Sequence, residues 1–478
     1  MSNATTGAFA PEALVDQKSL KKSVAAGSVG VLVHWFDWAV YAYLATTLTH
    51  VFFPNGDQTT ALLAVFGVFA ISFAVRPIGA LFFGALGDRY GRKLTLSIVI
   101  LGMAGSTLML GLLPSYNSIG LWAPALLLFA RIIQGLAAGG EFGSAAAFLA
   151  EYSPTKRRGF GVSWLEFGSL LGFLGASLLV AALTAVLSEA DLISWGWRIP
   201  FLLTAPLGIV GFYIRTKIED TPEFRELAEL EAVPESPIKE SFTRNWRQML
   251  QMSGVEIMMH VTFYVVLVYL LTYQETELGI TASRAALLST SASIAALIFV
   301  PLSGALSDRV GRKPVLIAAS VLLIITSYPL FLLMQSHATG SDAMGTIGLG
   351  IILAMILGVH ASTVAEMFPT RTRQSALSIV YAVTAAIFAG TVPYLLTWLI
   401  ARTGNQMMPA FYLILVGVLG LLTLLTMRET RGIDLLADDI AFAKARKAGE
   451  APSMTTPVPL TTSGAPTGKP AAGYDEPR

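Results

Sequence analysis

The sequence contains no cysteine, and only 13% of its 478 residues are charged, whereas 54% are hydrophobic. The absence of cysteine excludes disulfide bonds and thiolate metal sites. Soluble globular chains carry about 25% charged residues, so the shortage of charge predicts a protein that resides in lipid. The net charge of +1 and the confinement of basic residues to loops indicate no nucleic-acid partner.

Motifs for chemistry are also missing. The sequence shows no nucleophile elbow, phosphate-binding loop, metal-ligand cluster or nucleotide-binding domain. We therefore expect no enzyme and no metal, and a process that depends on an ion gradient or on facilitation rather than on ATP. Residues 1–20 lack the short apolar core of a cleavable signal peptide. The first membrane span is therefore expected to direct targeting.

Long apolar runs occupy most of the chain. A membrane-spanning helix needs about 20 mostly apolar residues, and twelve such runs are present. We number them α1 to α12 in chain order. They cover residues 24–51, 59–86, 94–113, 120–147, 160–187, 199–216, 248–273, 285–306, 314–334, 343–364, 375–400 and 408–427. This pattern predicts an all-α polytopic membrane protein with 12 transmembrane helices.

Two motifs occur twice. Residues 84–93 (Gly-Ala-Leu-Gly-Asp-Arg-Tyr-Gly-Arg-Lys), after α2, recur at 304–313 (Gly-Ala-Leu-Ser-Asp-Arg-Val-Gly-Arg-Lys), after α8. Residues 150–158 (Ala-Glu-Tyr-Ser-Pro-Thr-Lys-Arg-Arg), after α4, recur at 365–373 (Ala-Glu-Met-Phe-Pro-Thr-Arg-Thr-Arg), after α10. Two different motifs in the same register indicate a duplicated unit, and hence two pseudo-symmetric halves of six helices.

The duplication divides the chain into five segments. We expect an N-terminal segment at 1–22, a first six-helix bundle at 23–216, a linker at 217–247, a second bundle at 248–427 and a tail at 428–478. From about residue 448 the tail is rich in Pro, Thr, Gly and Ala, a composition typical of disorder.

The basic residues are distributed unequally between the two sides. The N-terminus, the loops after even-numbered helices, the linker and residues 428–447 hold 24 of the 32 Lys and Arg. The opposite loops hold three, namely Arg198, Arg284 and Arg402. Cytoplasmic loops carry the positive excess, so we expect a multi-pass protein of the inner or plasma membrane with both termini and the linker in the cytoplasm.

The repeated turn combines glycine with opposite charges. Asp88 and Arg92 are four residues apart, as are Asp308 and Arg312. Each carboxylate is expected to face the positive end of a neighbouring helix, while the arginines stay at the lipid headgroups. Glycines allow close approach of backbones. The residues assigned to conformational gating are Gly84, Asp88, Arg89, Gly91, Arg92, Asp308, Arg309, Gly311 and Arg312.

The pattern Gly-x-x-x-Asp-Arg-x-Gly-Arg-Lys resembles the signature loop of the major facilitator superfamily, and it is present here in both halves. Residues 131–135 (Arg-Ile-Ile-Gln-Gly) resemble the α4 motif of that superfamily, which is linked to proton coupling. The resemblance implies a monomeric transporter whose two halves rock about a central site. It also implies that no cofactor is needed beyond a proton gradient.

Further motifs resemble a narrower group, the metabolite:proton symporters. They are Trp-Phe-Asp at 35–37, Val-Arg-Pro-Ile-Gly at 75–79, Gly-Leu-Trp-Ala-Pro at 120–124, Gly-Glu-Phe-Gly at 140–143 and Trp-Gly-Trp-Arg-Ile-Pro at 195–200. The group includes carriers of α-ketoglutarate, citrate, shikimate and proline/betaine. Segments 195–200 and 365–369 look most like the α-ketoglutarate and citrate members. One departure from the group is His34, where its members usually carry an acidic residue.

The resemblance therefore implies proton-coupled import of a small organic acid, most similar to α-ketoglutarate or citrate. A zwitterionic osmolyte such as proline or betaine is the alternative substrate. A membrane sensor that does not transport is the alternative of another class, although neither the linker nor the tail offers a large signalling domain.

Ionisable groups within the spans are functional candidates, because each costs roughly 2.5–3.5 kcal/mol at mid-depth. At a rise of about 1.5 Å per residue, Asp37, Arg131 and His260 lie near the midplane, where such carriers bind substrate. The residues assigned to proton coupling are Asp37, Arg131 and Glu141. Those assigned to substrate binding are His34, Tyr41, Arg76, Arg131, Glu256, His260 and Tyr264.

Helical spacing supports these assignments. His34, Asp37 and Tyr41 share a face of α1, and Glu256, His260 and Tyr264 share a face of α7, the repeat partner of α1. The alternative for Glu256 and His260 is a satisfied structural pair.

Other polar positions within the helices are less specific. Arg76, before Pro77, either reaches a cavity or bonds freed carbonyl groups. Glu166 belongs either to a gate or to helix packing, with packing favoured, and His360 has no assignment.

The basic asymmetry generates a topology prediction. Reporter fusions placed at Leu230 and at the C-terminus should both give a cytoplasmic signal, because the positive excess is retained on that side. An external signal at either position would show that the orientation is wrong.

Overall fold

The computed structural model describes residues 31–441, apart from residues 33, 56–57, 217–235, 337, 339 and 438. In this part of the chain the regular structure is entirely helical, as the apolar runs predict. The N-terminal segment 1–22 and the predicted disorder from about residue 448 lie outside the described residues. The linker is described from residue 236 onwards, where a short helix, Pro237–Arg244, precedes α7.

The twelve predicted helices have the following bounds. In the first half they are 34–43 with Ala45–Phe52 for α1, Gln58–Ala74 with Arg76–Tyr90 for α2, Arg92–Leu112 for α3, Trp122–Gly139 with Glu141–Tyr152 for α4, Arg158–Val186 for α5 and Arg198–Thr216 for α6. In the second half they are Trp246–Tyr264 with Leu270–Thr276 for α7, Ala282–Val310 for α8, Arg312–Gln335 for α9, Ser341–Glu366 for α10, Thr370–Thr384 with Val392–Thr403 for α11 and Met408–Thr426 for α12.

Within the described residues, eleven helices are long and apolar enough to cross a membrane. They correspond to α2 through α12. The run predicted for α1 starts at residue 24, before the first described residue, and its described part is interrupted by a turn at Leu44. The prediction of an all-α polytopic fold is confirmed.

Two helices contain a wider turn that the apolar pattern does not predict. Val265–Tyr269 in α7 and Ala385–Ala389 in α11 are π-helical. Such turns are rare and occur frequently at functional sites. Both turns follow directly on segments, Trp246–Tyr264 and Thr370–Thr384, that carry residues of the central region described below.

The two halves pack through symmetry-related pairs of helices. α2 of the first half packs on α11 of the second, and α5 of the first packs on α8 of the second. The approach is close enough to require glycine in both repeated turns. A Cβ atom added at Gly84 would lie 2.8 Å from the Cα of Ser375, and one at Gly304 would lie 2.6 Å from the carbonyl oxygen of Gly159.

Gly91 and Gly311 have a different reason to be glycine. They join α2 to α3 and α8 to α9 with φ angles of 101° and 110°. L-residues with side chains rarely adopt this conformation, whereas glycine does so readily. The turns therefore let one helix end and the next begin within a single residue.

Candidate functional site

The repeated turns join the two halves at one end of the bundle, which we call the closed end. Asp88, in α2, accepts hydrogen bonds from the backbone N–H groups of residues 374–375 in α11, at 3.1 and 2.7 Å. Asp308, in α8, accepts hydrogen bonds from the N–H groups of residues 159–160 at the start of α5, both at 2.8 Å. Each carboxylate thus crosses to the other half and meets the N-terminal part of a helix, as the sequence predicts.

Ion pairs reinforce the first of these contacts. Arg92 lies 3.2 Å from Asp88 and 3.2 Å from Glu151, and it also donates a hydrogen bond to the carbonyl oxygen of Thr370 in the other half. Glu151 in turn pairs with Arg373 of α11 at 2.6 Å. The Arg92 and Glu151 side chains are fully buried, so each charge depends on its partner.

The second contact repeats this arrangement in reverse. Arg312 lies 2.8 Å from Asp308 and 3.1 Å from Glu366. Glu366 also pairs with Arg158 of the first half at 3.3 Å. Glu151 and Glu366 therefore do more than terminate α4 and α10, because each joins an arginine of its own half to one of the other half.

The remaining arginines of the turns, Arg89 and Arg309, are exposed. Arg89 lies over the ring of Tyr90, and the backbone oxygen of Arg309 accepts a hydrogen bond from Arg431. Their exposure agrees with the expectation that the arginines of the turns stay at the lipid headgroups. That expectation is wrong for Arg92 and Arg312, which are fully buried because they pair with carboxylates of the closed end.

A small cavity lies between the halves. Its lining residues are Val31, His34, Trp35, Arg76, Ala138, Glu141, Phe142, Leu165, Glu166 and Tyr381. Tyr381 belongs to the second half, and the others come from α1, α2, α4 and α5 of the first half. Three of the residues assigned to substrate binding or proton coupling, His34, Arg76 and Glu141, are among them. His34 and Glu141 form a pair, with Nδ1 2.5 Å from Oε2.

Arg76 reaches this cavity rather than capping carbonyl groups. Its guanidinium carbon lies 4.1 Å from the ring centre of Trp38 and 4.0 Å from that of Phe73. The side chain is buried, and its Nε and Nη2 atoms have no hydrogen-bond partner within the described structure. Arg76 is therefore a positive group held by aromatic rings with N–H groups left for a ligand.

The predicted pair of Asp37 and Arg131 is present beside the cavity. Asp37 Oδ2 lies 3.8 Å from Arg131 Nη1, and Gln134 joins the two by accepting a hydrogen bond from Arg131 and donating one to Asp37. The Arg131 guanidinium also covers the ring of Tyr41 at 3.6 Å. All of these groups belong to the first half, so rearrangement of this cluster need not involve the second.

A second buried cluster joins the halves. His360 Nε2 lies 3.1 Å from Glu166 Oε1 of α5, and His360 Nδ1 lies 3.3 Å from Glu256 Oε1 of α7. His260 Nδ1 lies 2.8 Å from the backbone oxygen of Glu256, and the His260 ring packs against the ring of Tyr381. Tyr264, also on α7, packs on Phe73 instead.

Sequence reasoning missed part of this centre. It left Glu166 to helix packing and His360 unassigned, although the structure places them together. The role of Gln134 carried a signal, because it lies in the Arg-Ile-Ile-Gln-Gly motif. Phe142 and Tyr381, whose rings stack at 3.9 Å, carried none, since nothing local distinguishes them from lipid-facing aromatics.

Helices, central cavity and crossing gate contacts define a multi-pass membrane transporter rather than an enzyme. Residues 23–231 match the family model "Sugar (and other) transporter", and residues 252–449 match "Major Facilitator Superfamily". The chain belongs to the major facilitator superfamily.

Curated relatives cover nearly the whole chain. The proline/betaine transporter of Escherichia coli (strain K12) is 40% identical over 445 residues, which is 90% of this chain and 89% of the relative. The glycine betaine/proline/ectoine/pipecolic acid transporter OusA of Dickeya dadantii is 39% identical with the same coverage. A putative proline/betaine transporter of Staphylococcus aureus is 37% identical over 86% of this chain and 89% of the relative. None of these relatives is named as an α-ketoglutarate or citrate carrier, so the closer resemblance of segments 195–200 and 365–369 to those carriers is not supported.

Solved structures share the fold at low sequence identity. The proton:xylose symporter XylE bound to 6-bromo-6-deoxy-D-glucose has a TM-score of 0.74 at 18% identity, covering 89% of this chain and 99% of that one. The human organic anion transporter MFSD10 has a TM-score of 0.63 at 15% identity, covering 85% and 99%. These likenesses confirm the major facilitator fold.

The crossing contacts generate a prediction about gating. Asp88→Asn and Asp308→Asn each remove a charge and leave one oxygen to accept two N–H groups, which should weaken the closed end by about 1–3 kcal/mol. We expect a slower transport cycle with little change in the substrate dissociation constant, measured by uptake and by equilibrium binding.

Asp191→Asn is the matched control, because Asp191 is exposed in the loop before α6. Its cycle rate should stay at the wild-type level. Loss of equilibrium binding in Asp88→Asn or Asp308→Asn with intact exchange would contradict the gating role.

Proposed function

We propose that this protein imports a small zwitterionic osmolyte, such as proline or betaine, together with a proton by alternating access. The observation that carries the proposal is a cavity between the halves with one unpartnered arginine and two carboxylates. Arg76 supplies the arginine, and Glu141 and Glu166 supply the carboxylates. A zwitterion presents a carboxylate and a cationic nitrogen, and this lining complements both.

The carboxylate of the substrate would bind Arg76. Guanidinium N–H groups suit carboxylates because the planar fork can donate two parallel hydrogen bonds. Trp38 and Phe73 hold the guanidinium from its faces, which leaves its edges for the ligand. Removal of water from such a site strengthens the interaction, since the effective dielectric constant is low.

The cationic end of the substrate would lie among aromatic rings and carboxylates. Trp35, Phe142 and Tyr381 line the same cavity as Glu141 and Glu166. Aromatic faces attract quaternary ammonium groups, and carboxylates attract ammonium groups of either kind. This combination suits betaine and proline alike.

A di- or tricarboxylate suits the cavity less well. It would bring two or three negative charges to a lining with a single arginine and two glutamates, and like charges repel strongly in a low dielectric. The relatives named above support the zwitterion over α-ketoglutarate or citrate. The sensor alternative lacks a comparable supporting observation.

Proton coupling is assigned to Asp37, with Arg131 as its electrostatic partner and Glu141 as a further candidate. Substrate accumulation would then be driven by the proton gradient without another cofactor. The protein would act as a monomer in the inner or plasma membrane, with both termini and the linker in the cytoplasm. Its two six-helix bundles at 23–216 and 248–427 would be the units that rock.

The substrate assignment predicts selective binding. Proline or betaine at about 100 times its dissociation constant should stabilise the purified protein by about 2.7 kcal/mol, whereas citrate and α-ketoglutarate should not. Arg76→Lys keeps the charge but loses the fork, so affinity should fall about 10- to 100-fold, as expected for a lost charged hydrogen bond.

The matched control is Arg198→Lys, because Arg198 lies at the start of α6 and bonds backbone oxygens of Ser194 and Leu113. Its affinity should be unchanged. Stabilisation by citrate or α-ketoglutarate but not by the zwitterions would refute the substrate class. Counterflow of labelled betaine in proteoliposomes would separate a carrier from a sensor.

The coupling assignment predicts a split between accumulation and exchange. Asp37→Asn cannot take up a proton, so it should abolish betaine accumulation in liposomes with an imposed pH gradient while sparing exchange down a substrate gradient. Accumulation at the wild-type level would exclude Asp37 as the coupling site.

A further inference from the structure

His360 occupies an unusual position for a buried histidine, because each of its ring nitrogens faces a carboxylate. Nε2 lies 3.1 Å from Glu166 and Nδ1 lies 3.3 Å from Glu256. His360 and Glu256 are fully buried, and Glu166 is 4% exposed. Glu166 belongs to the first half and the other two residues to the second. We call these three residues the interhalf bridge.

Proton counting limits the states of the interhalf bridge. A hydrogen bond between a ring nitrogen and a carboxylate oxygen needs one proton, and the bridge has two such contacts. A neutral imidazole carries one N–H, so it can satisfy one carboxylate only. The second contact requires either a protonated imidazole or a protonated carboxyl group. The observed pair of contacts therefore corresponds to two protons shared among the three groups, with a net charge of −1.

Loss of one proton would break a contact. With one proton left, a nitrogen lone pair would face a carboxylate, and the net charge would be −2 in a buried site. A buried carboxylate without a partner costs free energy, and so do two lone pairs that face each other. Glu166 and His360 belong to opposite halves. Movement of the halves apart therefore separates the two groups and removes the unfavourable contact between the carboxylate and the nitrogen lone pair.

Ionisable groups from several helices surround the interhalf bridge. The ring of Phe142, from α4, stacks on His360. The nearby ionisable groups from packed helices are His34 of α1, Arg76 of α2, Glu141 of α4, His260 and Tyr264 of α7 and Tyr381 of α11. Asp308 of α8 pairs with Arg312 of α9, and Arg312 pairs with Glu366 at the closed end. Within the described residues, Glu166 and Glu256 are the carboxylates in contact with the ring.

We propose that Glu166, His360 and Glu256 form a proton-binding site. The site joins the two halves while it holds two protons, and it lets the halves separate when one of these protons passes to water. This site differs from the pair of Asp37 and Arg131, which lies entirely within the first half. Its state depends directly on the relative position of the halves, because rocking of the halves changes the distance between Glu166 and His360.

The interhalf bridge also offers a route from substrate to proton, and this step alone rests on the proposed function. Glu166 lines the cavity as well as contacting His360. A cationic ligand group that pairs with Glu166 would compete with His360 for the same carboxylate. Substrate binding would then lower the affinity of the bridge for its second proton and favour separation of the halves. This proton is distinct from the co-transported proton, which is assigned to Asp37.

The experiment measures distances between the halves and needs no substrate, so it is independent of the substrate class. The chain has no cysteine, so Ser118→Cys and Asn405→Cys introduce two labels only, at exposed positions before α4 and before α12. Spin-label distance distributions are recorded in lipid nanodiscs from about pH 5 to about pH 9, a range that brackets ordinary histidine titration. We expect a shift from one population to another as pH rises.

Two variants should shift the population in opposite directions. In Glu166→Gln the amide can bond a neutral imidazole without an added proton, so the low-pH distribution should persist across the whole range. In His360→Ala the contact is lost, so the high-pH distribution should appear even at low pH. A merely structural role would move both variants in the same way.

His50→Gln is the matched control, because His50 is exposed at the end of α1. This variant should show the same pH-dependent shift in the distance distribution as the protein with an unmodified interhalf bridge. Persistence of that shift in both Glu166→Gln and His360→Ala, or movement of both variants in one direction, would overturn the proposal. The distance distribution could shift with pH, and both variants could behave as expected, while neither proline nor betaine binds. That outcome would refute the substrate class and leave the interhalf bridge in place.

Discussion

The cost of an unpaired charge inside a membrane governs this structure. At the closed end, the carboxylates of Asp88 and Asp308 each accept two backbone hydrogen bonds from the opposite half, in addition to an ion pair with an arginine of their own half. Near the centre, Asp37 is held by Arg131 and Gln134. Closing the halves is therefore the means by which several charges obtain partners, and any opening must provide replacements such as water, a proton or a ligand.

The two halves match each other residue by residue at the closed end, but not at the centre. The arginine–glutamate–arginine chains through Glu151 and Glu366 are copies of one another. The centre has no such correspondence, because the first half supplies the pair of Asp37 and Arg131, whereas the second supplies Glu256 and His360. Under the proposed function, the symmetric closed end would let both halves move alike, and the unlike centre would let each half bind a different load.

This division explains why two segments resemble carriers of a kind that the relatives do not support. The segments at 195–200 and 365–369, which look like α-ketoglutarate and citrate carriers, lie at helix ends. The first overlaps the π turn Leu192–Gly196, and the second contains Glu366 of the closed end. Neither segment lines the cavity. Their likeness concerns the ends of helices, and it carries no information about the residues that line the cavity.

The sequence by itself determined the helices, the duplication and the crossing role of Asp88 and Asp308, because apolar length, repeated motifs and helix polarity are local properties. It also brought Asp37 and Arg131 together through estimated depth. Only the tertiary structure decided that Glu166 meets His360 and that Arg76 lies between aromatic rings within reach of the cavity. The rotation of α5 and α10 about their axes decides the first contact, and the packing of α2 on α1 decides the second. Such rotations depend on all neighbouring helices at once, so no single stretch of sequence encodes them.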